Sequence, residues 1–146
     1  MGKTLTFMLS LLFAALIIAP VNAQDFGRVF QEAQIENATL SPANEKGIST
    51  LRLRLTNLAI GNLIIIGVKG SSHTNSRIMA EFEPDKYVKL DSLSIEAEET
   101  LDMADAKIFV QLLDMNIPVK SGDRMELKLV LANGELPFTA RIQPRP

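Results

Sequence analysis

The feature that most narrows the fold is period-two alternation near the C-terminal end of the chain. Met125, Leu127, Leu129 and Leu131 alternate with Arg124, Glu126 and Lys128. Asn133-Gly134 follows, and Leu136, Phe138, Ala140 and Ile142 then alternate on the way out. Successive side chains of a strand point to opposite faces, so each segment offers one apolar and one solvated face. Asn-Gly between two such segments predicts a β-hairpin whose type I′ turn places both central residues at positive φ. The same alternation recurs in Ser49–Asn57, where Leu51, Leu53 and Leu55 oppose Arg52, Arg54 and Thr56. Two arginines on one strand face could bind an anion, although a solvated outer face gives the same pattern.

Leu63–Val68 is continuously apolar and largely β-branched, which predicts a central strand buried on both faces. Shorter strands are expected at Ile35–Leu40, Ser76–Phe82, Tyr87–Leu90, around Leu93 and Ile95, around Leu101 and Met103, and at Ile108–Leu112. Asn57–Asn62, Glu83–Lys86, Ala104–Ala106 and Gly122-Asp123 read as turns. Pro118 has no N–H to give a ladder and marks a corner or an edge. No segment after residue 35 sustains a helical period. About eight or nine short strands with turn signals between them predict a single antiparallel β-sandwich or barrel, an all-β chain.

The first 23 residues differ from the rest. Lys3 precedes an apolar run from Leu5 to Ala19, and Pro20-Val21-Asn22-Ala23 closes it. A basic start, an apolar centre and a small residue at the end predict a secretory signal peptide, cut after Ala23. The rival is an uncleaved anchor, but the run is short for a span of about 20 residues and Pro20 suits cleavage. No Cys follows the run, so a lipid-anchored lipoprotein is excluded. The expected division is a leader at 1–23, an N-terminal segment at 24–34, one β domain at 35–142 and a tail at 143–146. The expected compartment is the periplasm, with no membrane span left after cleavage. Loss of Lys3 moves the formal charge from −2 to −3, and neither a basic patch nor aromatic stacking groups suggest nucleic acid.

Composition excludes most chemistry. There is no Cys, so thiol catalysis, disulfides and thiolate metal sites are out. His73 is the single histidine, and Ser71, Ser72 and Ser76 beside it lie in no nucleophile elbow. A non-enzymatic role is expected. The acidic run Glu96–Glu99 with Asp91 and Asp102 lacks the spacing of a calcium loop and reads as a solvated face. Asn37-Ala38-Thr39 matches the N-glycosylation acceptor pattern, which is short enough to arise by chance. Soft donors remain: His73, Met79, Met103, Met115 and Met125 could serve Cu(I). Met103 and Met125 occupy apolar strand positions that suit core filling. His73 and Met79 lie nearer a loop and are the candidate metal ligands.

From Ile35 to Ile142 the order of segments resembles the PCu(A)C family of periplasmic copper chaperones. The resemblance rests on Glu36-Asn37-Ala38 followed by Pro42, on Gly47–Asn57, on Ile66–Ser72, and on Ile95–Thr100. It is most specific at Met115–Asp123, where Pro118 precedes Gly122-Asp123 and an alternating strand. The resemblance implies a Greek-key, cupredoxin-like β-sandwich. It implies Cu(I) as cargo and a copper-receiving or cytochrome oxidase assembly protein as partner. The family's ligands are a His or Met, a Met, and a His-x-Met pair. Anchored on Pro118, the pair falls on Phe109 and Gln111 and the central Met on Tyr87. The first ligand falls on Ser76, or on Glu81 with a shorter loop. None of these is a soft donor, so the implied site is degenerate. The alternative is a metal-free periplasmic β-sandwich that acts as a binding or assembly partner.

Overall fold

The computed structural model describes residues 33–144. The expected leader and its expected cleavage site, residues 24–32 and the last two residues of the tail lie outside that range.

Ten strands and one helical turn follow in chain order. They are β1 (Ala33–Leu40), β2 (Ser49–Asn57), β3 (Leu63–Lys69), β4 (Asn75–Glu83), β5 (Lys86–Leu90), β6 (Leu93–Ile95), β7 (Thr100–Asp102), α1 (Met103–Ala106), β8 (Ile108–Leu113), β9 (Arg124–Leu131) and β10 (Gly134–Ile142). The hydrogen-bonded order is β5-β4-β8-β2-β1-β10-β9-β3-β6, with β7 also on β2. The sheet curls until β3 comes back beside β4 and closes a barrel-like fold. Every pairing is antiparallel except β1 with β10, which run parallel through Thr39↔Arg141 and Leu40↔Ile142. The expected all-β domain is thus observed as a mixed sheet, one or two strands richer than expected.

Alternation builds the core as expected. Leu51, Leu53 and Leu55 of β2 point inward against Leu127 and Leu129 of β9, with Ile78, Val110, Leu112, Ala140 and Ile142. Each buried leucine contributes roughly 1.5–3 kcal/mol relative to an exposed one, and with no disulfide this burial carries the stability. Met103, fully buried, begins α1 rather than an alternating strand. The reason lies in Asp102, whose Oδ1 accepts from the Ala104 amide at 3.1 Å and caps the turn. Lys107, at φ 56°, ends it in the left-handed region.

Two expectations are corrected. β3 is not buried on both faces, because Ile64 and Ile66 point to solvent. A register shift between Ile65 and Gly67 turns both Gly67 and Val68 inward, so the apolar run records a bulge and not a two-sided core strand. The β9–β10 hairpin forms, but Gly134 pairs with Leu131, so the loop is Ala132-Asn133. Neither loop residue has positive φ, so the turn is not type I′.

Candidate functional site

Strand register decides which side chains meet. In β8, Val110 and Leu112 face the core, so Phe109 and Gln111 face outward. Antiparallel pairing places Arg77 opposite Gln111 and Met79 opposite Phe109. On β5, Lys89 lies opposite Met79 and Tyr87 opposite Glu81. Thr50 pairs with Gln111, which sets Arg52 of β2 on the far side of Phe109. Tyr87, Phe109 and Gln111 therefore share one outer face, brought there from β5 and β8.

The contacts on that face are specific. The Tyr87 and Phe109 rings meet edge to face, with centroids 5.5 Å apart and planes at 79°. The Arg52 guanidinium lies 5.4 Å from the Phe109 centroid. Arg77 Nε donates to Gln111 Oε1. Phe109 is held at 8% exposure beneath these neighbours, while Tyr87 stays 48% exposed. A phenyl ring offers no donor pair, an amide oxygen is a hard ligand, and the guanidinium adds fixed positive charge. These residues do not fit Cu(I), which selects thioether, thiolate and imidazole.

Ser76 and Glu81 have other work. Ser76 Oγ accepts from the Val68 amide at 2.9 Å and links β4 to β3. Glu81 Oε1 accepts from the Asp85 amide at 3.0 Å and steadies the β4–β5 turn, where Asp85 takes φ 63°.

His73 and Met79 are not brought together. Met79 lies on the outer face opposite Phe109. His73 sits in the β3–β4 loop, 7% exposed. They lie six positions apart, mostly along β4, a span of roughly 15–20 Å at about 3.3 Å per residue. The imidazole packs where Gly70 leaves room: a Cβ on Gly70 would stand 3.2 Å from His73 Cε1 and 2.7 Å from a Leu127 methyl. His73 Nε2 is 3.0 Å from the Val68 carbonyl oxygen. That oxygen can only accept, so Nε2 carries a proton and donates, which in the neutral ring leaves the lone pair on Nδ1. Nδ1 is buried with no hydrogen-bond partner. Ser72, the preceding residue, donates its hydroxyl to Met125 Sδ at 3.0 Å. Met125 was expected only as core filler, and no spacing rule links it to His73. Among the described residues no group of three or more His, Cys, Asp or Glu is placed to hold a metal ion.

Comparison with solved structures puts this architecture in context. The copper-bound PCuAC domain from PmoF2 superposes with a TM-score of 0.68 at 21% identity, covering 78% of this chain and 94% of that one. This chain has the PCuAC-like fold. The apo PCuAC domain of PmoF2 gives 0.64 at 22% identity over 77% of this chain and 90% of that chain. The apo PCuAC domain from PmoF1 gives 0.67 at 16% identity over 78% and 95%. No family model and no curated protein matches the sequence. The PCuAC likeness is one of fold, and at these identities the chemistry must be argued from the residues themselves.

Arg52 and Arg77 are the site residues that sequence reasoning missed. Period two placed Arg52 outward, but an outward arginine reads as solvated until a ring is known to lie beside it. The cross-strand register supplies that ring, and register is set by non-local pairing.

Proposed function

We propose that this is an exported periplasmic protein of copper-chaperone descent that serves copper delivery to cytochrome oxidase as a protein-binding partner, without carrying Cu(I) at the family's ligand positions. One observation carries the reading. Three of the positions to which the resemblance assigns ligands share one sheet face, yet hold Tyr87, Phe109 and Gln111, with Arg52 over the Phe109 ring. In place of soft donors the face carries an aromatic pair with Arg52 against Phe109 and Arg77 on Gln111. Such aromatic and arginine side chains suit protein recognition. Export is supported by Lys3, the apolar run and Val21-Asn22-Ala23. The reading is non-enzymatic, since the one histidine donates to a buried carbonyl.

A second reading rests on the Nδ1 lone pair. His73, with Met125 held by the neighbouring Ser72 hydroxyl, would be a relocated Cu(I) site. A single competition separates the two. The mature protein, residues 24–146, is mixed with Cu(I) and a chromophoric chelator. The partner reading expects the chelator to keep all the copper. Stoichiometric retention that disappears in His73→Ala would overturn it and establish the relocated site. Amino-terminal sequencing of the secreted protein is expected to begin at Gln24.

A further inference from the structure

Away from the aromatic face, β9 and β10 bring two like charges together. Arg124 and Arg141 are direct cross-strand partners. Their side chains point to the same outer face, since Met125, Ala140 and Ile142 alternate with them toward the core. Like charges directly opposite on a ladder repel and destabilise the pair. Relief would come from a carboxylate, yet among the described residues neither arginine forms an ion pair. Glu126, two residues along β9, lines the neighbouring depression instead. Glu36 of β1 accepts from Gln34 Nε2 at 2.9 Å. Asp123 accepts from the Lys120 amide at 3.2 Å.

The surroundings of the pair are concave and rich in donors. A depression of about 550 Å³ is lined by both arginines with Asn37, Thr39, Thr139 and Gln143. The β-bulge in β1 shapes it: the β1–β2 register shifts between Glu36 and Thr39, and Asn37 takes φ 52°. Bulges re-aim side chains at such places. Thr39 is thereby set beside Arg141 on the parallel pairing. Two guanidinium forks, two hydroxyls and two amides thus approach one space from β1, β9, β10 and the residue after β10. Guanidinium forks match oxyanions bidentately, and donors arriving from three strands suit an anion with several acceptor oxygens rather than one planar carboxylate.

We propose that the Arg124–Arg141 depression is a phosphate-group binding site. The group could belong to free inorganic phosphate or to a phospholipid headgroup, and both offer the same chemistry to the arginines. The site is independent of the copper question, since it shares no residue with the aromatic face or with His73.

The test uses the mature protein at constant ionic strength set by chloride. Inorganic phosphate is expected to raise the melting temperature of the wild type in a saturable manner, as any ligand of the folded state does. Arg124→Gln and Arg141→Gln should each weaken the response about tenfold or more, the order expected for losing a charge-assisted contact. Without phosphate the same variants should melt no lower than wild type, because each removes a repulsion. Lys46→Gln, which removes an equal charge from the β1–β2 loop, should keep the full response. A second arm sediments the protein with vesicles of phosphatidylglycerol in phosphatidylcholine. Sedimentation reversed by free phosphate assigns the lipid headgroup, whereas a phosphate response without sedimentation assigns the free anion. No phosphate response in the wild type, or a response that survives in the double Gln variant, overturns the proposal.

Discussion

Asn57 has no solvent exposure, and its side chain closes two connections at once. Nδ2 donates to the Gly61 carbonyl at 2.8 Å and to the Ile95 carbonyl at 2.9 Å. Oδ1 accepts from the Ala59 amide at 2.9 Å. Truncation leaves these partners buried and unpaired, so Asn57→Ala is expected to cost about 2–4 kcal/mol, read from urea unfolding. In the sequence Asn57 looks like an ordinary turn opener, because its partners lie as far away as Ile95. The positions that the resemblance assigns to ligands make the opposite kind of prediction, a gain. A protein carrying Tyr87→Met, Phe109→His and Gln111→Met would place soft donors on a face that these side chains already share. The triple variant is expected to retain Cu(I) against a chelator that strips the parent. Failure to gain binding while remaining folded would show that the positions do not converge as a site.

At the scale of elements, alternation made β2, β9 and β10 readable almost to the residue, because each has one buried and one solvated face. The elements that escaped are those set by long-range geometry. β6 and β7 have three residues each, too few for a period. The parallel β1–β10 pairing leaves no local mark at all. The candidate face was legible as positions but not as contacts, since Arg52, Tyr87 and Phe109 come from three strands distant in sequence. Loops follow backbone rules more closely. Gly47 stands at φ 74°, and its carbonyl accepts from the Met115 amide at 2.9 Å, tying the β1–β2 loop to the segment after β8. Gly47→Ala forces a Cβ into the left-handed region and is expected to lower stability by about 1 kcal/mol, seen as a shifted midpoint with an unchanged slope.

For the molecule as a whole, charge is spread thinly over the surface and contributes little. Glu135 of β10 joins Lys69 of β3 at 2.8 Å and Lys128 of β9 at 3.7 Å. Its carboxyl is held below the usual glutamate range, first by the hydrogen bond from Lys69, then by the Lys69 charge and by Lys128. A depressed carboxyl stabilises the fold above the unfolded glutamate pKa and loses that contribution as pH falls through the lowered folded value. The group is exposed, so the effect is small and fades with salt. Glu135→Gln should therefore narrow the stability difference between neutral and acidic pH at low salt, and leave it unchanged at high salt. A larger consequence follows from how the barrel shuts. β3 and β4 lie side by side, but the Ser76 hydroxyl on the Val68 amide stands where a backbone ladder would. A barrel closed by a side chain has a preferred line along which it breathes. Amide hydrogen exchange should report that line, with Val68 losing its protection before Leu51, Leu129 and the other central amides, and with Ser76→Ala hastening Val68 alone.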